Sequence, residues 1–147
     1  MILKVVMIDK NYMKLITWNC QGAFRKKVDV LLLQQPDIVV VQECESPENL
    51  IFSSNTQQPH DFLWFGDNKH KGVGIFSYSD FRFRVLEHNQ DIKFIIPVSV
   101  SNDTIDFTLF AVWANNPNDA EGRYVEQVWK AVNHYDELLS EGQHILT

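Results

Sequence analysis

Glu43 closes the apolar run Ile38-Val39-Val40-Val41-Gln42, and Asn19 closes a second run, Lys14-Leu15-Ile16-Thr17-Trp18. A carboxylate is a hard oxygen donor suited to Mg²⁺ or Mn²⁺, ions that retain water and bridge to phosphate. A carboxamide is a weak ligand, but it donates to a phosphoryl oxygen or steadies a ligating carboxylate. Together at the ends of two neighbouring strands, the pair points to metal-assisted cleavage of a phosphate ester. Taken alone, a glutamate after an apolar strand simply opens a solvated loop. The wider pattern in which the two runs sit is what lifts it above that.

Two strands and one short helix must position these residues. Lys14 to Trp18 reads as a strand. Phe24, Val28, Leu31 and Leu32 then fall at i, i+4, i+7 and i+8, one apolar helical stripe. Pro36 ends that helix, because the residue before a proline is pushed out of helical geometry. Ile38 to Val41 is a continuous β-branched run, typical of a strand covered on both faces. Strand, helix, strand in this order predicts a parallel pair with a right-handed crossover. Its carboxyl ends then share one sheet edge, where ligands bind.

Beyond Asn49 the pattern changes. Phe62 to Phe65, Val73 to Phe76, Phe81 to Val85, Phe94 to Val98 and Phe107 to Val112 read as short strands separated by turn-forming groups. The close spacing predicts an antiparallel meander. A long helix is expected over about 119–140, with Val125, Val128, Trp129, Val132, Tyr135 and Leu139 buried and Asn118 with Glu121 as a capping pair. Gly142 stops it, and His144-Ile145-Leu146 opens another strand. The outline is an α/β chain with a mixed sheet. Residues 1–12 read as an N-terminal extension, or as a short edge strand through Leu3 to Ile8, ahead of a domain over 13–147.

Trp18-Asn19, the helix, and Pro36-Asp37-Ile38-Val39-Val40-Val41-Gln42-Glu43 together resemble the opening of the endonuclease/exonuclease/phosphatase (DNase I-like) superfamily. Gly72-Val73-Gly74-Ile75-Phe76-Ser77 is similar to that family's glycine-bearing middle strand, and Phe110-Ala111-Val112-Trp113-Ala114 to a later strand and loop. The resemblance runs from Met13 to Thr147. It implies a DNase I-like four-layer sandwich of two mixed β-sheets flanked by helices, present here as its first half. It also implies a Mg²⁺- or Mn²⁺-dependent phosphoesterase, most like a nuclease, working by in-line attack of water on a phosphate-ester substrate, nucleic acid among the candidates. Asn19 and Glu43 match the residues at the metal and phosphate. Where the family places a phosphate-contacting Tyr or His, this chain has Asn115 and Asn116, taken as substitutes. The family's Gly-Asp-x-Asn and Ser-Asp-His are not present, and the first would begin one residue past Thr147. The expectation is therefore a truncated domain, inactive by itself. A noncatalytic binding or scaffold derivative of the same fold is the alternative.

Other residues compete for attention. Arg25, Lys26 and Lys27 lie in the first helical turn, where the dipole disfavours cations; Arg25 is thus a phosphate-binding candidate, set against a plain solvated face. Arg123 opens the long helix, whose N-terminus suits phosphate. Lys69, His70 and Lys71 read as a surface loop or an approach to a polyanion. His60, His88, His134 and His144 have no zinc spacing, and no Walker loop or nucleophile elbow occurs. Cys20 and Cys44 make no disulfide framework and read as reduced, small apolar residues. The net charge of −6 disfavours tight sequence-independent grip on a polyanion, but not metal-mediated contact with one phosphodiester. The longest early apolar stretch, Val5 to Ile8, is too short for a membrane span, so a cytoplasmic, reducing location is the expectation.

Overall fold

Successive residues of the run Ile38–Val41 serve two different cores. Ile38 and Val40 pack with Met13, Leu15, Ile96, Val98 and Leu109, whereas Val39 and Val41 pack with Ile16, Phe24, Val28, Leu31 and Phe76. The pleat sends alternate side chains to opposite faces, so one apolar strand becomes the wall between two hydrophobic layers. The computed structural model describes residues 1–8, 11–92, 94–114 and 124–147.

A five-stranded sheet holds β1 (Ile2–Ile8), β2 (Asn11–Asn19), β3 (Ile38–Cys44), β4 (Asp61–Asn68) and β5 (Lys71–Ser77), in the order β1-β2-β3-β5-β4. A four-stranded sheet holds β6 (Arg82–Val85), β7 (Ile95–Ser101), β8 (Asp106–Val112) and β9 (His144–Leu146), in that order. The β2–β3 and β8–β9 pairs are parallel and the others antiparallel, so both sheets are mixed. The helices are α1 (Val28–Leu32), α2 (Tyr124–His134) and α3 (Asp136–Ser140). The sheets pack face to face. A 3₁₀ turn (Phe24–Lys26) and α1 cover the outer face of the first sheet, and Ala131 and Tyr135 cover Ile95 and Phe110 on the outer face of the second. The expected four layers are therefore present.

The parallel crossover and the local hairpins match the sequence expectation. The meander does not run through. β5 pairs with β3 and β4, and the chain then changes sheets between Ser77 and Arg82. Tyr78 stays in the α1 core while Phe81 enters the core between the sheets. Asp61 Oδ2 accepts the Phe83 N–H at 2.8 Å and Arg82 donates to the His60 carbonyl at 3.0 Å, tying the two sheets at the crossing.

The helices also differ from the expected ones. The first is a 3₁₀ turn followed by five α residues, and the later one breaks at Tyr135. Of its expected buried stripe, Tyr135 is buried, Leu139 is partly so, and Val125 and Trp129 are 81% and 66% exposed. Ala131, with no bulk beyond Cβ, lets the helix approach the sheet, and the Tyr135 hydroxyl accepts the Asn89 N–H at 3.0 Å. Those two contacts set the rotation of the helix. The expected Asn118–Glu121 cap lies outside the described residues.

Gly72 shows how tightly the β4–β5 hairpin is built. A Cβ there would lie 2.4 Å from the Phe65 carbonyl oxygen and 2.6 Å from the Trp64 ring. The Trp64 indole is in turn held by its N–H on the Cys44 carbonyl at 3.2 Å. Gly72→Ala is therefore expected to lower stability by about 1–3 kcal/mol, the usual range for overpacking, as read from urea unfolding.

Candidate active site

Glu43 reaches the sheet edge through a β-bulge. On β5, Gln42 faces Val73 and Cys44 faces Gly72, so Glu43 is the extra residue between them, with φ of +58°. Left-handed backbone at a non-glycine residue costs about 1–2 kcal/mol. A bulge re-aims one side chain out of the regular alternation, and here it delivers the carboxylate to the edge. The strain is held locally: the Glu43 carbonyl accepts the Gly22 N–H at 3.1 Å and the Cys20 S–H at 3.3 Å.

Two side chains meet that carboxylate. Asn19, across the parallel β2–β3 pair, donates its amide to Oε1 at 3.0 Å, while its own oxygen accepts the Gln21 N–H at 3.1 Å. Lys71, the first residue of β5, places its ammonium 2.8 Å from Oε2. Lys71, and Asn19 after it, hold the Glu43 carboxyl below the ordinary glutamate value against the opposing effect of burial. Asn19 thus faces Glu43 as a donor that orients the carboxylate. In the sequence Lys71 stood out only as one of the group Lys69-His70-Lys71, a surface loop or an approach to a polyanion.

The same edge gathers the end of the second sheet. Gln42, nearly buried, donates from Nε2 to the Thr17 hydroxyl at 3.0 Å and to the Val112 carbonyl at 3.1 Å. One side chain therefore ties β2, β3 and β8 where their carboxyl ends collect. Trp113, just beyond, packs on Phe94 with ring centroids 4.8 Å apart. Asn115, Asn116 and Arg123 lie outside the described residues.

Solved structures share this fold. The 3′ phosphatase NExo from Neisseria, bound to product DNA hairpin, matches with a TM-score of 0.57 at 24% identity, over 91% of this chain and 56% of its own. Truncated TDP2 from Caenorhabditis elegans matches at 0.60 and 13% identity, over 86% and 56%. An endonuclease/exonuclease/phosphatase from Beutenbergia cavernae matches at 0.58 and 14%, over 91% and 46%. The chain has the DNase I-like fold. It spans about half the length of the solved structures it matches. No protein-family model matches the sequence, and no curated protein matches it.

Within this DNase I-like framework two of the three basic residues of the first helical turn, Arg25 and Lys27, are committed elsewhere. Arg25 binds the Glu45 carboxylate at 2.7 Å, and Glu45 is only 3% exposed. The same carboxylate accepts the Phe24 N–H at 2.7 Å and the Arg25 N–H at 3.3 Å, capping the turn from a distant strand end. Burial alone raises the Glu45 pKa. Hydrogen bonds from its own backbone, the Arg25 guanidinium and the amides of Phe24 and Arg25 outweigh it and bring the net value below the ordinary one. Lys27 donates to the carbonyls of Cys20 and Gly22 at 2.6 and 2.9 Å, bracing a turn in which Gln21, Gly22 and Ala23 all have positive φ. Nothing in the residue types had singled out Glu45. Cys20 and Cys44 are buried free thiols, and burial pushes both pKa values up, so both stay protonated.

As a metal site, the donor set is sparse. Among the described residues no three His, Cys, Asp or Glu side chains cluster around one point. Mg²⁺ is held by one or two carboxylates together with substrate phosphate, and keeps the rest of its water. Glu43, oriented by Asn19 at an open edge, fits such a one-carboxylate site.

The two glutamates should separate cleanly by mutation. Glu45→Ala strands two backbone N–H groups and a guanidinium, so a loss of about 2–3 kcal/mol is expected in urea unfolding. Glu43→Gln breaks only an edge pair, for about 1 kcal/mol or less. Both folded pKa values are depressed, so each glutamate contributes stability fully present above its unfolded value of about 4.3 and lost as pH falls through the lower folded value. Unfolding series from pH 6 downward should show a shallower acid dependence in Glu45→Ala than in the parent.

Proposed function

We propose that Asn19 and Glu43 belong to the active site of a divalent-metal-dependent phosphoesterase, a nuclease-like phosphodiesterase that hydrolyses its substrate by in-line attack of water. The observation that carries this reading is the bulge at Glu43, which presents an oriented carboxylate at the shared strand ends of a DNase I-like fold. Glu43 would hold Mg²⁺ or Mn²⁺, whose chemistry is to polarise the phosphate and offset charge on the leaving oxygen. Asn19 fixes the rotamer of the carboxylate. Asn115, Asn116 and Arg123 stay as proposed phosphate contacts, and Arg25 acts on this site through the turn it anchors.

Nucleic acid is the substrate class we favour. One structural neighbour is bound to a product DNA hairpin, and a metal-bridged phosphodiester tolerates the net charge of −6 better than a broad electrostatic grip does. No helix among the described residues is long and apolar enough to cross a membrane. Two free, buried thiols suit a reducing cytoplasm. With one carboxylate in the described donor set, residues 1–147 by themselves are expected to turn over no phosphodiester.

One observation favours a second reading, a noncatalytic binding derivative: Glu43 already has a cation in Lys71. Calorimetric titration with Mn²⁺ separates the two. Under the phosphoesterase reading the chain binds Mn²⁺, Glu43→Gln weakens binding by about tenfold or more, and Asn19→Ala weakens it by about tenfold. A parent chain indifferent to Mn²⁺ supports the noncatalytic reading. Mg²⁺-dependent cleavage of bis(p-nitrophenyl) phosphate by the purified chain would contradict the expected inactivity.

A further inference from the structure

Both oxygens of the Glu43 carboxylate are engaged, but by different kinds of group. Oε1 takes a neutral amide at 3.0 Å, and Oε2 takes the Lys71 ammonium at 2.8 Å. A metal and an ammonium on the same carboxylate oxygen repel each other, so a metal on Oε2 favours release of the ammonium. The Lys71 side chain is 54% exposed against 20% for Glu43, so the ammonium has room to move and the carboxylate has little.

Its backbone is not free to leave. Lys71 pairs with Asn68 across the hairpin, and the next residue, Gly72, packs directly on Trp64 and the Phe65 carbonyl. A displaced ammonium therefore remains beside the metal, tethered by four methylenes. Arg25 and Lys27 cannot substitute for it, because they hold Glu45 and the Cys20–Ala23 turn.

On the reading that Glu43 is a metal ligand, we propose that Lys71 is an exchangeable counter-ion: it neutralises Glu43 in the metal-free protein, yields that carboxylate to the metal, and then pairs with a phosphoryl oxygen of the substrate. Lys71 thereby couples metal binding to phosphate binding. Its effects on the two should have opposite signs, which a merely structural lysine would not produce.

The test uses the full chain, Mn²⁺ alone, and then inorganic phosphate added to the Mn²⁺-saturated protein, each followed by calorimetry. Lys71→Met is compared with Lys69→Met, which removes the same charge from the neighbouring turn, and thermal melts confirm that both variants fold. Lys71→Met should tighten Mn²⁺ binding by about fivefold, the upper range for a released exposed pair, and weaken phosphate binding by a similar factor. Lys69→Met should change either by about twofold at most, as expected of an exposed charge out of contact. The proposal fails if Lys71→Met leaves Mn²⁺ affinity unchanged or weaker, if it acts no more strongly than Lys69→Met, or if phosphate affinity does not fall. Mn²⁺ binding that depends on Glu43 but not on Lys71 overturns this inference alone. Absence of Mn²⁺ binding in both parent and Lys71→Met overturns the metal reading with it.

Discussion

The buried carboxylate of Glu45 is the contact on which the candidate site depends. Removing a charged group from water is costly unless its oxygens are fully used. Here the two oxygens take two backbone amides and a guanidinium from a segment twenty residues upstream. That arrangement fastens the start of the first helical turn to the end of β3. It does the work of an N-cap, which Ala23, left-handed and without a capping side chain, cannot do. The turn Cys20–Ala23 is thereby pinned at both ends, since Cys20 and Gly22 donate their amides to the carbonyls of Gln42 and Glu43.

Strain and support are distributed accordingly. Three non-glycine residues in and beside the site, Gln21, Ala23 and Glu43, occupy left-handed backbone. Strained positions of this kind persist only where surrounding contacts over-determine them. Glu45, Lys27 and Gln42 supply those contacts from outside the open edge. The resulting division places buried or braced polar groups behind the site and leaves Asn19, Glu43 and Lys71 at its exposed front. Charges that in sequence looked equally ready for a substrate, such as Arg25 and Lys71, have been sorted by this arrangement into anchor and edge.

Legibility in the sequence followed the range of the interactions. The β2–α1–β3 crossover and the β4–β5, β6–β7 and β7–β8 hairpins were readable because neighbours in sequence pair in space. The double burial of β3 was readable from its uninterrupted β-branched run. The change of sheet after Ser77 was not, because adjacent short strands carry no record of which edge each will join. Periodicity exposed the amphipathic character of α2, but Ala131 and the Tyr135 hydroxyl decided which side lies on the sheet. Glu45 was illegible for a stricter reason. Its partners are two backbone amides and an arginine about twenty residues away, and a backbone amide has no sequence identity. Asn19 and Glu43 were legible because each ends an apolar run.

The charge balance at the edge gives the proposed chemistry its character. Asn19 is neutral, and Glu43 and Lys71 cancel, so these three side chains carry no net charge in the metal-free site. A divalent ion entering alone gains one carboxylate but must part it from an ammonium. A phosphate ester entering alone finds that ammonium already engaged. When both enter, the metal takes the carboxylate and the ammonium takes the phosphate, and the site carries less uncompensated charge than with the metal alone. Two ligands that each bind weakly alone and better together are positively coupled, and the coupling is reciprocal. In this reading the pairing of Lys71 with Glu43 is therefore the source of selectivity for a metal arriving with its phosphate, because a metal alone strands the ammonium and a phosphate ester alone finds it engaged.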